Sequence, residues 1–336
     1  MLFNIVMLAL SLGVILASCA IFVNAIECLG KALNLHQGII GSIFAAVGTA
    51  MPETLIPIIA IIFSKEASAH AVGIGAIAGA PFMLSTLAFF ITGAAVVVYS
   101  LMGKRTFTMN INSGIMSKDL LFFLSIYTIA IATSFVHEIL WLKIGIGVVL
   151  FFSYILYLKL IINDDAESME NADMLYLKKY FKISETVFTI SIQLLLALAF
   201  IVLGADLFIK HVQLLSGFIG LSPLILSLII TPIATEMPEK LNSIIWIGRK
   251  KDTLALGNIT GAMVFQSCIP VVFGMIFTPW NLRGMTLVSA ALALVSGTIV
   301  LAWLKIRKNL NPFILMVGGI FYAIFLFHVF VIFKGK

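Results

Sequence analysis

Broad apolar stretches separated by short polar gaps run the length of the chain. A transmembrane barrel would instead show segments of about ten residues with alternating polarity. Each stretch is long enough, at about 1.5 Å per residue, to cross roughly 30 Å of hydrocarbon as a helix. Ten spans are predicted: 3–26, 38–63, 71–99, 119–136, 139–161, 185–210, 220–247, 254–279, 285–304 and 312–333. Spans two and three are longer than a crossing requires, which suits tilted or interrupted helices. The longest polar gap, 162–184, holds Asp164, Asp165, Glu167, Glu170 and Asp173, then Lys178, Lys179 and Lys182. It reads as a solvated linker between halves, without the Asp-x-Asp-x-Asp-Gly rhythm of a calcium loop.

One polar motif interrupts the apolar pattern twice. Gly48-Thr49-Ala50-Met51-Pro52-Glu53-Thr54 lies inside span two, and Ala234-Thr235-Glu236-Met237-Pro238-Glu239-Lys240 lies inside span seven. Thr, Met, Pro and Glu coincide. Further on, Gly75, Gly79 and Ser85 align with Gly257, Gly261 and Ser267. The chain therefore divides into a first repeat of five helices at 1–161 (first motif region 38–99), a linker at 162–184, and a second repeat at 185–336 (second motif region 220–279). Five is odd, so the second repeat enters the membrane in the opposite sense. The expected fold is an all-α membrane protein with ten transmembrane helices in a 5+5 inverted-topology repeat, an architecture common among secondary transporters.

Composition agrees: 61% of residues are hydrophobic and 11% charged, against about 45–50% and ~25% in soluble domains. The net charge of +6 does not argue for nucleic acid, because the basic residues sit in loops. Fourteen Lys and Arg fall in the odd-numbered gaps and five on the opposite side. That bias places the odd gaps and the linker in the cytoplasm and both termini outside, in the cell membrane. The first apolar run has no basic leader or cleavage site and is expected to stay as a helix. Cys19, Cys28 and Cys268 show no metal-binding spacing and read as small packing residues.

The motif residues point to cation chemistry. A proline inside a helix removes a donor and clashes with the preceding turn, and in lipid the freed carbonyls need partners. Pro52 and Pro238 should thus break spans two and seven near mid-membrane. Thr49 and Glu53 share a helical face, as do Thr235 and Glu239, and Glu236 adds a third carboxylate. Each charge near a helix centre costs roughly 2.5–3.5 kcal/mol. Lys240 can pair with Glu236, but it cannot offset all three. The remaining partners are metal ions or protons, and hard oxygen donors suit Ca2+, Na+ or Mg2+. The Gly-x-x-x-Gly pairs let neighbouring helices approach the broken ones.

These residues resemble the two alpha repeats of the sodium/calcium exchanger family, within the calcium:cation antiporter superfamily. GTAMPE at 48–53 and ATEMPE at 234–239 are similar to its Gly-Thr-Ser-x-Pro-Glu element; GNITGAMVFQ at 257–266 resembles the second element well, and GAIAGAPFML at 75–84 resembles it loosely. The resemblance implies Ca2+ bound between Glu53 and Glu239, with Thr49 and Thr235 helping to coordinate Ca2+ and Na+. It implies alternating access by sliding of the first span of each half, and a monomer as the functional unit. Ala50 and Glu236 stand where the family has Ser. Pro81 and Met263 replace its Asn or Asp, and Leu84 and Gln266 its later Asn. Glu236 then serves as a replacement ligand or a proton carrier. With Asn258 and Gln266 the candidate ion site comprises Glu53, Glu239, Thr49, Thr235, Glu236, Ala50, Asn258 and Gln266.

The expected function is secondary antiport of Ca2+ for Na+ or H+. The transported ions and the lipid bilayer are the only partners implied, with no cofactor and no nucleic acid. Alternatives are exchange of another cation, such as Mg2+ or protons with monovalent ions, and a degenerate family member that does not transport. An intramembrane enzyme does not fit. His70, His137, His211 and His328 lie near span ends and His36 precedes span two, so no acid–base or metal constellation forms at mid-depth.

Overall fold

The computed structural model describes residues 2–32, 51–64, 66–162 and 174–333. Apart from an isolated bridge between Met109 and Leu310, the described residues form helices and their connections. In chain order the helices are α1 (Leu2–Ala32), α2 (Met51–Ile62), α3 (Ala67–Met83), α4 (Phe89–Leu101), α5 (Ser113–Thr133), α6 (Leu140–Ile162), α7 (Tyr176–Phe181), α8 (Val187–Ile219), α9 (Pro223–Thr235), α10 (Met237–Gly248), α11 (Asp252–Phe277), α12 (Met285–Arg307) and α13 (Pro312–Phe327). Among the described residues eight helical rods are long and apolar enough to cross a membrane. Predicted spans two and seven are the two with no such rod. Span two before Met51 lies outside the described residues, and span seven consists of the shorter helices α9 and α10.

Several boundaries differ from the hydropathy reading; the first span, for one, runs to Ala32 rather than 26. The fourth span starts at Ser113 rather than 119, because the Asn112 side chain accepts hydrogen bonds from the Gly114 and Ile115 amides and caps the helix early. The sixth runs to Ile219 rather than 210. Lys210 and His211 look like a loop by charge, yet the helix ends only where Gly220 takes φ 75°. Between α3 and α4 the rod passes through a π-helical turn, Leu84–Ala88. It follows Pro81, and the hydroxyls of Ser85 and Thr86 donate to the Pro81 and Phe82 carbonyls.

Helices α1 and α8 pack chiefly on each other. Asn4 Oδ1 meets His211 Nδ1 at 3.2 Å near one end, and Gln193 Nε2 donates to Asn24 Oδ1 at 3.0 Å near the other. The end of the predicted linker docks here as well. Asn24 accepts from the Tyr176 amide and Gln193 from the Leu177 amide. Leu175 is fully buried in a small apolar cluster with Ala25, Cys28 and Ile190. Residues 174–177 are therefore anchored rather than solvated, because two buried amides need backbone partners; residues 163–173 lie outside the described residues.

The remaining helices interlock across the halves. The α3–α4 rod packs on α9, α12 and α13, while α11 packs on α5 and α6. The α3–α9 contact is backbone on backbone: a Cβ on Gly75 would strike the Leu224 carbonyl, and one on Gly79 the Leu228 carbonyl. Ser227 fastens the same crossing by donating to Val72 O at 2.7 Å. The matching expectation for Gly257 and Gly261 is not met by any described atom within 4 Å. Forcing a larger side chain into a packed contact costs about 1–3 kcal/mol, and more against a backbone that cannot step aside. Gly79→Val should therefore lower the melting temperature in detergent and the yield of monodisperse protein. Wild-type behaviour of that variant would contradict this crossing.

Candidate cation site

Helix α9 stops at Thr235 and α10 begins at Met237, with Glu236 between them at φ −86°, ψ 13°. Pro238 explains the stop: in a continuous helix its ring would clash with the carbonyl one turn back, whereas in the first turn of α10 its missing N–H costs nothing. Glu239 also falls in that first turn, where the positive end of the helix dipole favours a carboxylate.

Three carboxylates gather around this junction. Glu53, Glu236 and Glu239 are 4%, 1% and 2% exposed, a degree of burial that charged groups reach only with partners. Glu53 of α2 lies within electrostatic reach of Glu239, Glu236 and Lys240. Even so, among the described residues Glu53 Oε2, Glu239 Oε2 and both oxygens of Glu236 lack a hydrogen-bond partner. Lys240 Nζ lies 3.5 Å from Glu236 Oε2 and is the cation in reach of all three. With all four groups ionised, the cluster carries two net negative charges.

The other predicted residues divide. Asn258 Nδ2 donates to the main-chain carbonyl of Glu239 at 3.2 Å, so it braces the junction through the backbone. Gln266 is buried with its Oε1 unpartnered, leaving a free acceptor. Thr235 is fully buried and its hydroxyl donates to Thr231 O at 3.0 Å; its oxygen lone pairs remain free to face an ion. Thr49 and Ala50 lie outside the described residues. Among the described residues no three His, Cys, Asp or Glu side chains converge closely enough to hold a metal alone. An ion held here would need hydroxyl, amide or carbonyl oxygens besides the carboxylates.

Two residues that the sequence did not single out border the site. Tyr322 of α13 is within electrostatic reach of Glu236, its hydroxyl is buried without a partner, and its ring stacks on Phe82 at 5.6 Å. Cys19 of α1 is within reach of Glu53. A lone Tyr or Cys in an apolar span carries no spacing signal. Asp119 carries no such signal either, because it sits where charge marks a span end. It is 2% exposed and accepts from Tyr157 Oη at 2.8 Å and Thr260 Oγ1 at 2.6 Å. Both its oxygens are used, and it ties α11, which carries Asn258 and Gln266, to α5 and α6. All three cysteines are buried, as packing residues should be.

Membrane-length helices enclosing unpaired carboxylate oxygens define a class, the cation-handling membrane proteins. The chain belongs to the sodium/calcium exchanger family, "Sodium/calcium exchanger protein", which matches residues 3–163 and 189–334. It is accordingly a membrane antiporter of a family that transports inorganic cations, and not an enzyme. Among curated relatives, the CaxA protein of Alkalimonas amylolytica, named as an antiporter, is 28% identical over 41% of this chain, a match spanning 45% of CaxA. The uncharacterized membrane protein MJ0091 of Methanocaldococcus jannaschii is 22% identical over 76% of each chain. Of solved structures, the H+/Ca2+ exchanger CAX superposes with TM-score 0.71 at 13% identity, covering 97% of this chain and 81% of its own. The sodium-calcium exchanger NCX_Mj gives 0.56 at 17% identity, covering 97% and 98%. These likenesses establish an exchanger fold.

Proposed function

We propose that the chain exchanges Ca2+ for Na+ or H+ by alternating access, with the ion held near mid-membrane between Glu53 and Glu239. The observation that carries this reading is the set of buried, unpartnered oxygens on Glu53, Glu236 and Glu239. Burying them without a cation would cost several kcal/mol, and with Lys240 counted the two net negative charges of the cluster equal the charge of one divalent ion. Gln266, Thr235, Asn258 and the predicted Thr49 and Ala50 supply the surrounding polar shell.

The architecture read with this site is the ten-helix 5+5 inverted repeat, 1–161 and 185–336, with spans two and seven interrupted at Pro-Glu. The reciprocal packing of α3–α4 on α12 and α13, and of α11 on α5 and α6, supports it, since an inverted pair of repeats exchanges equivalent neighbours. The α1–α8 pair is the element that slides. The chain lies in the cell membrane with both termini outside and the 162–184 segment cytoplasmic, and one copy suffices for transport.

The test is 45Ca2+ uptake by purified protein in proteoliposomes under an imposed Na+ or H+ gradient. Saturable uptake driven by one of the two gradients is expected, and which gradient drives it identifies the counter-ion. No uptake under either, together with no Ca2+ binding in detergent, would end this reading.

A further inference from the structure

The two motifs agree at Thr, Met, Pro and Glu and then part: Thr54 follows the first, Lys240 the second. Lys240 is 4% exposed. Spacing alone suggests an i,i+4 pair with Glu236, yet the ammonium gives its hydrogen bonds elsewhere. Nζ donates to the carbonyls of Pro232 at 3.0 Å and Ile233 at 3.4 Å, both near the C-terminal end of α9. It stands 3.5 Å from Glu236 Oε2, and neither Glu236 oxygen has a hydrogen bond among the described residues. The carbonyl end of a helix carries partial negative charge. Two such carbonyls and one carboxylate are the oxygen set that a hard monovalent cation takes, and here a lysine ammonium, a compact point charge with three donors, sits among them.

We propose that Lys240 is a tethered cation: its ammonium fills, in the second half, a position that a free Na+ would otherwise occupy. The consequence is one exchangeable monovalent ion fewer. Without the ammonium, the three carboxylates would carry charge for a divalent ion and a monovalent ion together; with it, the divalent charge alone remains. This rests on reading Glu53, Glu236 and Glu239 as a cation site. An ordinary helix-end cap would use the same carbonyls but would leave ion stoichiometry untouched, and that difference is measurable.

The experiment compares 22Na+ and 45Ca2+ binding stoichiometry of the detergent-purified full chain with Lys240→Thr, which installs the residue of the first motif, and with Lys240→Gln, which keeps donors for the two carbonyls but removes the charge. Lys240→Thr is expected to bind one more Na+ per chain than the wild type, and Na+ should raise its melting temperature by more than it raises that of the wild type. Folded variants with wild-type Na+ stoichiometry overturn the proposal, and so does failure of both variants to fold, which would make Lys240 a structural clamp. Absence of wild-type Ca2+ binding alongside a Na+ gain in Lys240→Thr would remove the Ca2+ reading and leave this one standing. Ca2+ binding without any Na+ gain would do the reverse.

Discussion

Glu53→Gln and Glu239→Gln should each abolish Ca2+ transport while leaving the protein folded. Glutamine keeps the shape of the side chain and removes its charge. Removing one partner of a buried charged pair costs about 3–5 kcal/mol, so Ca2+ affinity should fall by about 100-fold or more. Stability should move the other way. In ion-free buffer the wild type holds three carboxylates against one ammonium, each buried charge costing roughly 2.5–3.5 kcal/mol. Removing a carboxylate should keep or raise the melting temperature. Ca2+ should stabilise the wild type through binding linkage and should have little effect on either variant. A glutamate with a structural role would give the opposite pattern, a lower melting temperature with the Ca2+ effect intact.

The second large effect is expected far from these groups. Arg105 and Asp252 form a buried two-pronged ion pair: Nη1 meets Oδ1 at 2.6 Å and Nη2 meets Oδ2 at 2.8 Å. Oδ2 also accepts from the Asn110 amide at 2.8 Å, and Arg105 donates to the carbonyls of Ile247 and Thr108. The pair clamps the 102–112 loop onto the junction of α10 and α11. Asp252→Ala leaves a guanidinium buried without its counter-charge, at a cost of about 3–5 kcal/mol. The expected result is a clear drop in thermal stability, partly restored in Arg105→Ala/Asp252→Ala because both charges then leave together. A double variant no better than the single one would mean that the stabilisation comes from the carbonyl contacts alone.

The carboxylates of the site were legible because apolar surroundings make a Glu costly. The same Thr-x-Met-Pro-Glu written twice then ruled out a local accident. The membrane-helical class followed from the length of the apolar runs. What sequence could not give was anything set by how backbones cross. Spacing paired Lys240 with Glu236, and that ion pair forms at 3.5 Å, but spacing did not show that the ammonium's hydrogen bonds go to the carbonyls at the end of α9. Gly75 and Gly79 signalled close packing without saying that the partner is α9 of the other half. Charge at Lys210 and His211 hid the last turns of α8, since hydropathy sees a polar residue and not the neighbour that accepts it. Asp119 and Tyr322 became visible only once α5, α6, α11 and α13 stood next to one another.

The fastening of α1 to α8 at both ends has a mechanical corollary. Two rods pinned at top and bottom cannot shear past each other, so a displacement of one is a displacement of both. A carrier built this way treats the pair as a single plank. In the alternating-access reading proposed above, sliding of that plank would uncover one mouth in the same stroke that covers the opposite one, with the amide and imidazole pins keeping the two ends in step.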